Sequence, residues 1–169
     1  FSDDLTVTGG LTANEFRFSS PKVRRLGVPA SAFVPDGVRS DEEWRNNAGG
    51  FAFMFGGGSP FVIGVFAPIN LPEGATVTSA SCCWYDTHAT AELTFTFSLR
   101  RRLYTSTLIG TLATASRSPT FHDDGVVHTL SDSTVSLGTI DNDFYEYFLF
   151  VSLNTGSVAA SSSIRFYGC

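Results

Sequence analysis

The feature that most constrains this chain is alternation. Leu93, Phe95, Phe97 and Leu99 take every second place in one segment, and Thr94, Thr96, Ser98 and Arg100 fill the gaps. Successive side chains of an extended chain point to opposite faces, so this run reads as a strand with one face in a core and one in water. Residues 144–153 repeat the pattern with Tyr145, Tyr147, Leu149, Val151 and Leu153 on one face and Phe144, Phe148 and Phe150 on the other. Residues 75–86 place Val77, Cys83 and Tyr85 opposite Ala80, Cys82 and Trp84. Further strands are expected at 51–55, 61–66, 108–115, 126–130, 134–137 and 164–167, with turn residues between them. The run Gly56-Gly57-Gly58-Ser59-Pro60 reads as a hairpin or wider loop.

Helical patterning is nearly absent. Ser40-Asp41-Glu42-Glu43 has the spacing of a capping box and predicts one or two helical turns through Trp44 and Arg45. Some ten short strands predict an all-β fold: an antiparallel β-sandwich, jelly-roll-like, with an N-terminal extension strand. The expected division is an arm over residues 1–18 and a sandwich domain over 19–169. Several strands are apolar on both faces, which predicts that part of the outside is covered by a subunit or a folded-over loop.

Composition narrows the functional classes. A chain of 169 residues buries roughly 70% of its unfolded surface and needs no metal to build a core. With 16 phenylalanines and only 16% charged residues it is too apolar for a disordered tail. Its net charge of −5 argues against general nucleic-acid binding through phosphates. The longest apolar run, residues 61–69, is broken by Gly64 and Pro68 and is too short to cross a bilayer, so no membrane span is expected. The first residue is Phe1 rather than Met, which reads as a mature chain or a fragment.

Three cysteines, Cys82, Cys83 and Cys169, leave one thiol over in any monomer. Cys82 and Cys83 point to opposite strand faces, so a bond between them is not expected. Either one of them pairs with Cys169 while the other stays free or joins subunits, or all three are buried and reduced.

No catalytic constellation emerges, and the chain is expected not to be an enzyme. Ser59 lies in Gly57-Gly58-Ser59-Pro60-Phe61, which is not a nucleophile elbow. Gly56-Gly57-Gly58 lacks the Gly-Lys-Ser/Thr of a phosphate loop. His122, Asp123, Asp124 and His128 have no metal-site spacing, and Asp141-Asn142-Asp143 reads as a turn rather than a calcium loop. No metal and no cofactor is expected. The Arg100-Arg101-Arg102 run is split between strand faces and is read as solvated or paired. Glu146 is expected to pair with Arg101 or Arg165. Trp84, Tyr85, Tyr104, Tyr145, Tyr147 and Tyr167 offer amphipathic rings for sugar stacking, although core packing accounts for most of them.

The N-terminal segment carries the functional expectation. Leu5, Val7, Gly9, Leu11 and Ala13 alternate with Thr and other polar residues, and Ser19-Ser20-Pro21-Lys22 reads as a joint to the body. The arm either completes its own sheet or completes a neighbour's. It resembles the donor strands of extracellular pili and fimbriae, and also the stem segments of trimeric phage and bacterial fibre proteins. The adjacent cysteines depart from the paired-cysteine bridge of donor-strand pilins. The body is similar to secreted β-sandwich modules at fibre tips, at Leu71-Pro72-Glu73-Gly74-Ala75 and Ile140-Asp141-Asn142. The donor-strand resemblance implies an extracellular structural subunit that forms a homopolymeric filament by head-to-tail strand addition. Its partner is then itself, with surface glycan as a further possibility. The alternative is a trimeric fibre head or a carbohydrate-binding β-sandwich module.

Overall fold

The computed structural model describes residues 22–37, 42–56, 62–87, 93–117, 125–154 and 163–169. Leu5, Val7, Gly9, Leu11 and Ala13 lie outside them, as do His88, His122, Asp123 and Asp124. Alternation becomes strand over most of its expected length, except that residues 75–79 precede β5 and make only an isolated bridge, Thr76 to Thr139. The described strands are β1 Val34–Pro35, β2 Glu42–Asn47, β3 Phe51–Gly56, β4 Val62–Ile69, β5 Ala80–Asp86, β6 Thr94–Leu103, β7 Ile109–Arg117, β8 Val127–Asp132, β9 Tyr145–Asn154 and β10 Ile164–Gly168. One short 3-10 turn, Ala30–Ala32, is the described helix, and it is far too short to cross a membrane.

The strands form two antiparallel five-stranded sheets, ordered β1-β4-β9-β6-β7 and β2-β3-β10-β5-β8. From β3 onward the chain passes from one sheet to the other, except between β6 and β7, which pair as neighbours. The orders β3-β10-β5-β8 and β4-β9-β6-β7 are those of an eight-stranded jelly roll, with β1 and β2 added at one edge of each sheet.

The inner faces supply the core. Phe95, Phe97, Leu99, Leu149, Val151 and Leu153 face Trp84, Ile164 and Phe166 across the sandwich, all buried. Phe33 meets Phe166 edge to face at 4.8 Å, and Trp84 stacks on Phe95 at 5.9 Å. Burial of each such ring contributes about 1.5–3 kcal/mol, and edge-to-face contact adds to it. His128 stacks on Trp84 at 4.8 Å, so its ring serves packing.

The cysteines resolve the open alternatives. Cys82 is bonded to Cys169 across 87 residues of sequence, and Cys83 is a free thiol on the outer face of β5, 3.5 Å from the Thr129 hydroxyl. The same corner ties in the segment before β1. The Val28 and Cys169 backbones exchange two hydrogen bonds, at 2.6 and 3.0 Å. Gly168 is required there: its φ is +119°, and any Cβ would collide with the Val28 carbonyl.

Two local expectations are corrected, and one open alternative is resolved. The capping-box segment is no helix. Glu42–Asn47 is a strand paired along its length with β3. Trp44 packs on the core against Phe166 at 6.0 Å, while Arg45 is exposed. Period-two burial outweighed a cap that had no apolar helical face to follow it. The chain then turns through Asn47, whose side-chain oxygen accepts the Gly49 N–H at 2.7 Å. Of the two readings of the glycine-rich run, the wider loop holds, because β3 and β4 lie in opposite sheets. Residues 134–137 form no strand: the Ser136 N–H donates to Leu112, and Leu137 sits at φ 54°.

Candidate functional site

The outer face of the β1-β4-β9-β6-β7 sheet carries the groove. Register dictates its layout, because residues paired across strands share a face. One row runs Gly64, Ser152, Thr96, Ser116 across β4, β9, β6 and β7. The next runs Phe66, Phe150, Ser98, Thr114, and the third runs Pro68, Phe148, Arg100, Thr111. A fourth brings Glu146 beside Arg102 and Ile109. Along the strands the face therefore changes from small and hydroxylic, to aromatic, to charged. Rows lie about 7 Å apart.

A groove of about 620 Å³ runs over this surface, within the usual range for a small-molecule or oligomer site. Phe66, Phe148, Phe150 and Pro68 supply its apolar lining. Phe66 and Pro68 are exposed, and Phe148 and Phe150 half-buried. Ring faces left open to solvent in this way are stacking surfaces. Tyr104, Ile109 and Asn142 contribute to the lining at the charged end. At the small end the Asp36 carboxylate lies over Gly64, and a side chain at 64 would displace it. Asp36 is fixed there because its N–H donates to the Gly64 carbonyl at 2.9 Å.

The three consecutive arginines have three environments. The Arg100 guanidinium lies 4.1 Å from the Phe150 ring centre, and its Nε–H donates to the Ser98 hydroxyl at 2.7 Å. Ser98 is itself buried. Desolvation pulls the Arg100 guanidinium below its ordinary value, though an arginine stays protonated at physiological pH. Arg101 faces the other way and stacks on Tyr145 at 4.1 Å. Arg102 pairs with Glu146 through Nε and Oε1. Glu146 thus has an arginine partner, but it is Arg102, its register neighbour, rather than Arg101 or Arg165.

The rings singled out in the sequence scatter. Trp84 and Tyr147 are core residues, and the Tyr147 hydroxyl accepts the Asp141 N–H at 2.9 Å. Tyr85 and Tyr167 lie on the opposite sheet. Tyr104 and Tyr145 reach the groove. Sequence reasoning passed over Phe66, Phe148 and Phe150 as ligand contacts. The signal was present: with Tyr147, Leu149, Val151 and Leu153 committed to the core, Phe148 and Phe150 must face out. Residues 71–75 and 140–142 meet. The Asn142 N–H donates to Glu73 at 2.6 Å, and Gly74 and Ala75 exchange backbone hydrogen bonds with Ile140. That arrangement is a turn clasp, and among the described residues no group of three His, Cys, Asp or Glu is placed to hold a metal.

The fold and the site together define a jelly-roll β-sandwich with an open aromatic and cationic groove on one sheet. No protein-family model and no curated protein matches the sequence. Among solved structures, the chain is similar to the family 11 carbohydrate-binding module of a cellulosomal cellulase of Clostridium thermocellum. The TM-score is 0.46 at 14% identity, over 88% of this chain and 97% of that one.

Proposed function

We propose that the chain is a carbohydrate-binding β-sandwich module that holds a glycan chain in this groove without transforming it. One observation carries the reading: Phe66, Phe150 and Phe148 are presented to solvent on a single sheet face, beside hydrogen-bonding side chains of both charges. Sugar rings offer C–H bonds of slight positive charge to the negative face of an aromatic ring, and hydroxyls to the arginines and carboxylates around it. A rigid sheet keeps those groups in place before the ligand arrives, which limits the entropy lost on binding. The Cys82–Cys169 disulfide fits an oxidising, extracellular setting.

The test is a glycan array followed by calorimetry on the hits, using the wild type and the Phe66→Ala/Phe150→Ala double variant. Binding lost in the variant at unchanged thermal stability supports the reading. A wild type that binds no glycan, or a double variant that binds as well as the wild type, overturns it.

A further inference from the structure

Arg100 differs from its neighbours in what its guanidinium has left to offer. Arginine carries five N–H donors in one plane. Among the described residues only Nε is engaged, by Ser98, and the ring of Phe150 takes one face of the plane. Among the described residues no carboxylate pairs with Arg100, whereas Arg102 beside it is neutralised by Glu146. Asp36 stands two register rows away, over Gly64. The four terminal donors therefore belong to a cation that is half-buried, held from below by a buried hydroxyl and an aromatic ring, and open to the groove. A partly desolvated charge without a counter-charge is unfavourable, and an anion in the groove relieves it.

Resting on the glycan-binding reading, we infer that the groove selects an acidic polysaccharide, with Arg100, seated on Phe150, receiving the carboxylate of a uronic-acid residue while Phe66 stacks on a sugar ring. The two terminal nitrogens form a fork that matches a carboxylate in a paired, in-plane contact. The fork is pre-oriented, because the Ser98 contact and the Phe150 ring fix both its direction and its plane. The Arg102–Glu146 pair adds no net charge, so discrimination falls on Arg100.

The experiment is calorimetric titration with oligogalacturonates and alginate oligosaccharides, each beside its methyl ester, which keeps the sugar backbone and removes the charge. A sulfated glycan forms a further arm. The expected result is binding of an acid form roughly tenfold to a hundredfold tighter than its own ester. Arg100→Gln is expected to bring acid binding down to the level of the ester, a larger fold-loss for the acid than for the ester, and Arg100→Lys to restore part of the difference. Equal binding of acid and ester by the wild type overturns the inference and leaves the glycan-binding reading standing. Binding of the sulfated glycan alone overturns the carboxylate assignment. Equal loss of acid and ester binding in Arg100→Gln makes Arg100 a support for Phe150 and also overturns it. Absence of binding to any glycan overturns both readings.

Discussion

The two outer sheet faces are built from the same residue types and put them to different uses. On the β2-β3-β10-β5-β8 sheet one register row reads Arg45, Phe53, Arg165, Tyr85, Val127, with cations and rings alternating. Arg165 lies 4.7 Å from the Phe51 ring centre and 4.9 Å from that of Tyr85, so rings hold it from two sides. Phe51 in turn leans on Phe53 and Tyr167 at 6.3 and 5.8 Å. On the groove sheet Arg100 has one ring and one hydroxyl, and Phe66 stands exposed. The lesson is that ring and cation content does not mark a binding face. What marks it is whether the rings and cations have already satisfied one another.

Four expectations sharpen or break that contrast. The largest concerns the inner side of the sheet that bears the closed face. Cys82→Ser is expected to cost roughly 2–5 kcal/mol of stability, read by thermal unfolding, because the bond closes a long loop. Glycan affinity measured well below the melting point should stay unchanged. A parallel loss of affinity in the folded variant breaks the division of labour between the sheets. Next, Phe150→Ala should weaken glycan binding by about 2 kcal/mol, near thirtyfold, as loss of a central aromatic contact does. Phe51→Ala on the other face should lower the melting temperature and leave affinity untouched. If titration shows both variants equally impaired, the groove is not the site. A smaller effect is expected for Gly64→Ala, whose new methyl displaces the Asp36 carboxylate. Affinity should drop several-fold with little change in melting temperature.

The smallest effect lies at the edge that joins the faces. Asp132 of β8 accepts hydrogen bonds from the Thr134 hydroxyl and N–H and from the Thr114 N–H of β7. These bonds, the Thr134 side chain first, hold its carboxyl below the usual carboxylate range. The ionised form is therefore favoured by folding. Its contribution is complete above the ordinary carboxylate value of about 4 and disappears as pH falls through the lower folded value. Asp132→Asn should flatten the acid limb of a stability-against-pH curve. An unchanged limb refutes the assignment.

Much of the architecture is legible in the sequence because burial follows parity. The strands around Phe95–Phe97 and Tyr147–Leu153, and the face shared by Cys82 and Trp84, follow from alternation alone. Pairing order does not, since it depends on which distant strands share a sheet, and local pattern is silent on that. This is why the sequence leaves hairpin and wider loop open for the glycine-rich run, and why it does not single out Arg102 as the partner of Glu146. The groove was half legible: its rings sit on the outward parity of β9, but their alignment with Phe66 and Arg100 is a property of register. The donor-strand expectation for Leu5, Val7, Gly9, Leu11 and Ala13 falls on residues outside those described, and deletion of residues 1–14 followed by particle sizing addresses it directly.

The strand order also sets a timetable for folding. The central strand of each sheet is among the last in sequence: β9 lies between β4 and β6, and β10 between β3 and β5. During synthesis the earlier strands of both halves wait with open edges until these two emerge, and only then does either sheet become continuous. Such late, long-range closure makes for slow folding, in the millisecond-to-second range typical of sandwiches. It also leaves a nascent chain rich in phenylalanine exposed to misassociation until the end. The strand that carries Phe148 and Phe150, and the strand that leads into Cys169, are thus the two whose arrival commits the molecule to its native state.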